Sequence, residues 1–157
     1  MREILFRAKR LDNGEWIYGD LLTPTDIMDV WEISENTGMG DRYEIDPETV
    51  GQYTGLKDRN GNKIFEGDIV KFNKQIGKIV FEKGAFGVGM NENIDYENIE
   101  DNVGIFSKGW NGYSGCYNDN FISLWEIMWN FDDKAGECIE VSGNIYDNFE
   151  LLGEDNA

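Results

Sequence analysis

Apolar and polar residues alternate over short stretches of this chain, which is the pattern of β-strands with one buried face. The alternation begins at residues 4–10, where one face of the predicted strand carries Ile4, Phe6 and Ala8. Asn13-Gly14 separates this stretch from a second apolar run at residues 15–22. Because an Asn-Gly pair provides the positive φ angles of a tight turn, the pattern predicts a β-hairpin here.

A second group of hairpin signals lies further along the chain. Asn60-Gly61 is again a turn pair, and Gly67 marks a sharp bend before the apolar run at residues 69–72. Residues 77–90 contain another predicted hairpin, whose second strand has glycines on one face, where a neighbouring backbone can approach closely. Short strands joined by sharp bends indicate a small, strongly curled barrel.

The remaining segments are less regular. A short strand is predicted at residues 29–34, followed by an irregular loop at residues 35–42. Residues 121–129 have apolar positions at helical spacing, although a strand would also accommodate them. Residues 138–146 alternate like a strand, and Asn148 is a candidate cap for a short last turn, residues 149–152.

The length of 157 residues fits one domain, and 40% hydrophobic residues suffice for a buried core. We therefore predict a single domain over residues 1–157. Its predicted parts are a barrel core at 45–90, an acidic insertion at 91–120 and a C-terminal helix or strand region at 121–152. The predicted fold class is mainly β, with one or two short helices near the C-terminus. Cys116 and Cys138 are expected to be reduced, because no secretion signal precedes them.

The charge distribution adds a candidate binding surface. The chain has 14 basic and 31 acidic residues, a formal net charge of −17. Residues 51–90 depart from this balance, with seven basic and four acidic residues. Lys71, Lys74 and Lys78 in this stretch are the predicted partner-binding residues. Elsewhere the acidic field maintains solubility, repels nucleic-acid phosphates and favours basic partners.

The sequence lacks the residue patterns of most catalytic, metal-binding and cofactor-binding sites. The absence of histidine excludes Ser-His and Cys-His catalysis and His-ligated metals. A calcium loop beginning at Asp58 fails, because Lys63 and Ile69 occupy positions that require Gly and Glu. No phosphate-binding G-x-x-x-x-G-K-[ST] pattern is present. We therefore predict no catalytic residue, metal or cofactor. Carboxylate pairs such as Asp132-Asp133 are the one feature of the sequence that would be compatible with an enzyme.

Two further expectations concern nucleic acid and membranes. Lysines and aromatic residues are interleaved at residues 63–83, as in barrels that bind single strands, but the net charge argues against direct nucleic-acid binding. No apolar segment has the length of a signal peptide or a transmembrane helix. A location in the cytoplasm is expected.

Residues 45–72, "IDPETVGQYTGLKDRNGNKIFEGDIVKF", resemble the signature of the YopX family of phage and prophage proteins. Residues 6–21 and 140–152 agree with the two ends of the family pattern, except that Phe149 occupies a position where proline is usual. The resemblance implies a β-rich fold with an SH3-like barrel and a gene carried by a phage or prophage in a bacterial host. It implies no activity, because the family has no established biochemical function.

These observations favour a non-enzymatic interaction module that binds a protein of the host or the phage. The first alternative is an acidic mimic of nucleic acid that occupies a host DNA-binding protein, and the second is a carboxylate-based enzyme. Homo-oligomer formation is left open.

Overall fold

The computed structural model describes residues 3–35, 41–72, 74–82, 84–92, 94, 120–124, 127 and 139–153. Within these residues, short β-strands form two antiparallel sheets. The chain divides into two compact units, residues 1–55 and residues 56–157. Each unit has its own hydrophobic core and is described separately.

The first unit begins with the predicted hairpin. Its strands are β1 (Phe6–Lys9), β2 (Trp16–Leu22), β3 (Glu32–Ser34), β4 (Arg42–Glu44) and the start of β5 (Gly51–Lys57). Their order in the sheet is β4-β3-β2-β1-β5. Gly14 in the first turn has a φ of 72°, as the Asn-Gly pair predicted. The strand expected at residues 29–34 is β3, whereas Arg42, assigned to a loop from the sequence, begins β4.

Four fully buried side chains form the core of the first unit: Ala8, Ile17, Ile33 and Ile45. They come from the core-facing positions of β1, β2 and β3 and from the bridge between Arg10 and Ile45. Gly19 permits the close approach of two strands, because a Cβ built there would lie 2.1 Å from the carbonyl oxygen of Ser34.

The second unit contains the end of β5 and a five-stranded sheet. Its further strands are β6 (Lys63–Phe65), β7 (Asp68–Phe72), β8 (Gln75–Glu82), β9 (Ala85–Gly89), β10 (Phe121–Ser123) and β11 (Ile139–Asn144). The five-stranded sheet has the order β10-β9-β8-β7-β11. The hairpin of β8 and β9 and the strand β11 lie where the sequence predicted them.

Among the described residues, eleven buried apolar side chains form the core of the second unit. They include Val70, Phe72, Ile79, Val88 and Ile122 from four neighbouring strands of the sheet. The fold class predicted from the sequence, a mainly β chain of short hairpins with a small barrel, is confirmed, and the barrel is a half-barrel.

The segment that begins at residue 121 contains both a strand and helical residues, the two structures that its sequence allowed. Phe121–Ser123 pairs with β9 as strand β10, and the buried residues Leu124 and Ile127 are helical. A 3₁₀ turn at Phe149–Leu152 ends the described chain, but the Asn148 side chain makes no capping hydrogen bond to it. Asn148 Oδ1 instead accepts a hydrogen bond from the backbone N–H of Asn144 at 3.2 Å.

Part of the predicted organisation lies outside the described residues. This holds for Cys116, Cys138 and most of the acidic insertion. Of its first residues, Asn91 and Glu92 are exposed and Ile94 is buried in the core of the second unit.

Candidate functional site

The Asn-Gly turn after β5 is organised by one buried carboxylate. Asp58 is only 5% exposed, and its Oδ1 accepts hydrogen bonds from the backbone N–H groups of Asn60 and Asn62 at 2.9 and 2.8 Å. Its Oδ2 accepts from the backbone N–H of Val141 in β11 at 2.9 Å. Burial would raise the pKa of Asp58, but the hydrogen bonds from Val141, Asn62 and Asn60 outweigh burial and lower the pKa.

A second buried carboxylate organises the bend between β6 and β7. Asp68 Oδ2 accepts a hydrogen bond from the backbone N–H of Phe65 at 2.7 Å. Between them, Gly67 has a φ of 92°, donates to the carbonyl of Ile79 and accepts from the N–H of Ile145, both at 2.9 Å. Asp58, Gly61, Gly67 and Asp68 of the stretch "DRNGNKIFEGDIV" therefore maintain the fold of the second unit.

Two of the three lysines predicted to bind a partner share one face of the five-stranded sheet. Lys71 in β7 lies opposite Ile76 in β8, and Lys78 lies two residues further along β8. Because directly opposite residues, and residues two apart in a strand, share a face, Lys71, Ile76 and Lys78 point to the same side. Lys74 lies in the turn that joins the two strands.

All three lysines are exposed. Among the residues that the structure describes, none of the three is within 4 Å of a carboxylate oxygen. Lys71 is directly opposite Glu140 of β11 in the sheet register, yet the two side chains do not form an ion pair within that distance.

Lys74 and Lys78 line an open groove in the second unit, with a volume of about 340 Å³. Polar and apolar side chains both line it: Lys74, Gln75, Lys78, Asn91 and Glu92 are polar, Ile76 and Leu152 are apolar, and the apolar Met90 is only 6% exposed. Gln75 Nε2 donates a hydrogen bond to Glu92 Oε1 at 3.1 Å on one side of the groove. Lys71 does not line it, so the structure groups two of the three predicted residues.

Sequence reasoning missed an exposed apolar pair in the first unit. Ile27 is 92% exposed and Met28 is 48% exposed, in the segment between β2 and β3. The Thr25 N–H donates to the Met28 carbonyl at 2.7 Å, and Thr25 Oγ1 accepts from the N–H groups of both Ile27 and Met28, at 3.3 and 3.1 Å. The "TPTD" start of this segment is a turn signal, but nothing in the sequence indicated that the two apolar residues would face solvent.

Within the described ranges, no set of three or more His, Cys, Asp or Glu side chains is arranged to hold a metal ion. Likewise, no helix in the described part of the chain is long and apolar enough to span a bilayer.

The sequence pattern of the YopX protein family matches residues 5–153 of this chain. The chain therefore belongs to the YopX family, whose role is unknown. A protein of known structure, EF1440 from Enterococcus faecalis, shares 21% sequence identity with it. That comparison covers 97% of this chain and 99% of EF1440, with a TM-score of 0.43. No curated protein matches the sequence.

Proposed function

We propose that this YopX-family chain is a non-enzymatic module of phage or prophage origin that binds another protein through the groove of the second unit. The observation that carries the proposal is the groove itself, in which the partly buried Ile76 and Leu152 lie beside the exposed Lys74 and Lys78. Apolar surface with a charged margin is the usual composition of a protein-binding patch.

The chemistry of the groove defines the kind of segment that it accepts. Apolar side chains of a partner would contact Ile76 and Leu152, and a carboxylate beside them would approach Lys74 or Lys78. Because exposed ion pairs contribute less than about 1 kcal/mol each, the lysines select the partner and the apolar contacts supply most of the affinity.

The proposal is tested by affinity capture from a lysate of a bacterium that carries the gene, followed by mass spectrometry. The test variant is Lys74→Glu with Lys78→Glu. The matched control is Arg42→Glu with Lys57→Glu, which makes the same change in net charge at exposed residues that do not line the groove.

We expect the wild type and the control to capture the same protein. The groove variant should capture at least about tenfold less of it. Lys71→Glu should have a smaller effect, because Lys71 shares the face but does not line the groove. Equal capture by all variants, or no specific capture by the wild type, would refute the groove as the binding site.

The net charge of −17 favours one alternative, an acidic mimic of nucleic acid. Under this alternative the captured protein binds DNA, is released by about 0.3 M salt and is displaced by duplex DNA. The effect of Lys74→Glu with Lys78→Glu separates the two proposals, because adding negative charge would strengthen mimicry and weaken binding in the groove.

A further inference from the structure

The turn formed by Thr25–Met28 presents apolar side chains in a fixed conformation. Two hydrogen bonds to Thr25 Oγ1 and one between backbone groups close the turn, as described above. Pro24, just before it, restricts the backbone further. A turn that is already ordered loses little conformational entropy on binding, so the exposed Ile27 is suited to insertion into an apolar pocket.

The charges around this turn are acidic. Asp26 and Asp29 flank the Ile27-Met28 pair, and both are exposed. Residues 21–50 as a whole contain one basic and eight acidic residues. A site that receives the turn therefore needs apolar side chains with basic groups at its margin.

The second unit of the same chain has a site of this composition. The groove offers Ile76 and Leu152 for apolar contact and Lys74 and Lys78 for ion pairs with flanking carboxylates, while its one acidic lining residue, Glu92, accepts a hydrogen bond from Gln75. The turn and the groove are complementary in both respects, apolar to apolar and acidic to basic.

We propose that the Ile27-Met28 turn of one copy docks in the groove of a second copy, which gives head-to-tail self-association. The inference rests on the proposed function, because it identifies the protein that enters the groove. Each copy has one turn and one groove, so the contact is heterologous and generates rings or open chains of subunits.

The net charge of −17 opposes this contact at low ionic strength. At about 0.15 M salt the screening length is about 8 Å, so distant charges are largely screened while apolar contacts and adjacent ion pairs persist. One turn in one groove makes a small interface, for which we expect a dissociation constant of about 0.1 mM. Association should therefore strengthen between low salt and about 0.15 M.

Sedimentation velocity of the full chain, from about 1 µM to about 1 mM at about 0.15 M salt, tests the inference. We expect the weight-average mass to rise with concentration. Ile27→Asn should weaken association at least about tenfold, because it removes the most exposed apolar side chain of the turn. Leu11→Asn, at a residue that is also apolar and 57% exposed in the first unit, is the control and should leave association unchanged.

A mixing experiment distinguishes this contact from other modes of association. The Ile27→Asn variant retains an intact groove, and the Lys74→Glu/Lys78→Glu variant retains an intact turn. Alone, each should be monomeric, and together they should form a 1:1 dimer that does not grow further. Circular dichroism spectra that match the wild type show that both variants are folded.

A wild type that stays monomeric over the whole concentration range overturns the inference. The inference is also overturned if Ile27→Asn and Leu11→Asn weaken association equally, or if the mixture of the two variants forms no dimer. None of these results affects the proposed function, because capture of a different protein by the groove is measured separately. Conversely, if the wild type captured no other protein but still self-associated through the turn and the groove, the proposed function would be refuted and this inference would stand.

Discussion

The Asp58 carboxylate accepts a hydrogen bond from the backbone N–H of Val141 at 2.9 Å, across 83 residues of chain. The same carboxylate accepts the N–H groups of Asn60 and Asn62 within its own turn. One side chain thus fixes the shape of a hairpin turn and connects that turn to strand β11. The Arg59 N–H reinforces the connection by donating to the Ile139 carbonyl at 3.0 Å.

Replacing Asp58 by alanine should destabilise the protein by about 2–4 kcal/mol. Three backbone N–H groups would lose their acceptor, and an unsatisfied buried donor costs about 1–3 kcal/mol. Urea unfolding followed by tryptophan fluorescence measures the free energy of unfolding. Asp12→Ala, at an exposed carboxylate, is the control, and a loss no larger than that of the control would show that the Asp58 hydrogen bonds contribute little to stability.

The lowered pKa of Asp58 makes stability depend on pH in a definite direction. The unfolded state binds the proton more readily than the folded state does, so acid favours unfolding. The contribution of Asp58 is complete above the ordinary aspartate pKa of about 3.9. It is lost as the pH falls through the lower pKa of the folded state.

Asp58→Asn should therefore reduce the slope of stability against pH below about pH 4. Urea melts of the wild type and the variant between about pH 6 and pH 3 measure this slope. Asp12→Asn should change it less, because Asp12 is exposed, and solvent screens the hydrogen bond and the charge of Arg10 that lower its pKa. Identical slopes for the wild type and Asp58→Asn would contradict the prediction.

Gly61 and Gly67 each require a backbone conformation that β-branched residues avoid. Their φ angles are 85° and 92°. Gly61→Val and Gly67→Val should each cost about 1–3 kcal/mol in backbone strain, lowering the melting temperature by several degrees. A Cβ at Gly61 would meet no atom within 4 Å, so strain alone causes the effect there.

Gly61→Asn is the matched control for this pair, because asparagine tolerates positive φ better than valine does. It should lower the melting temperature much less than Gly61→Val. If both valine variants melted at the wild-type temperature, the assignment of a hairpin turn and a bend would be wrong.

Gly87 and Gly89 face the same side of β9 but differ in the space around them. A Cβ at Gly87 would lie 2.5 Å from the Ile122 carbonyl oxygen, whereas one at Gly89 would lie 3.3 Å from a methyl group of Val80. Gly87→Ala should cost about 1–3 kcal/mol because the backbone of β10 must move. Gly89→Ala should cost less, since the Val80 side chain can adjust, and thermal melts that ranked the two in the opposite order would contradict the assigned pairing of β9 with β10.

Local sequence rules predicted the elements whose conformation is decided locally. The turns at Gly14, Gly61 and Gly67 and the alternation of β8 were read from neighbouring residues alone. The bond between Asp58 and Val141 was not predicted, because it depends on the pairing of distant strands and has no local signal. The same reason explains β10: residues 121–129 have helical spacing, but the first three, Phe121–Ser123, pair with β9 as a strand.

The residues of the groove could be predicted only in part, because their grouping also depends on the pairing of distant strands. Charge counting identified Lys71, Lys74 and Lys78, but only the three-dimensional arrangement shows that two of them line the groove. The exposure of Ile27 was not predicted, since an apolar pair between polar residues is also typical of a buried position.

The last prediction concerns the effect of salt on stability. The ion pairs of the described residues include Arg10 with Asp12 and Arg59 with Glu140, both at least partly exposed. Such pairs contribute less than about 1 kcal/mol each, so salt removes little stabilisation when it screens them. Repulsion among the acidic residues, with a net charge of −17, is the larger electrostatic contribution.

Added salt screens this repulsion, and the screening length falls from about 30 Å at 0.01 M to about 8 Å near 0.15 M. The melting temperature should therefore rise between about 0.01 and 0.3 M sodium chloride. Thermal melts at about 5 µM protein keep the chain monomeric, so that self-association does not contribute to the rise. Lys71→Glu should steepen the rise, because it adds two negative charges to the balance without removing an ion pair among the described residues. A melting temperature that falls with salt would mean that attraction between the lysines and acidic side chains outweighs the repulsion, and the lysine face would then not be open to a partner.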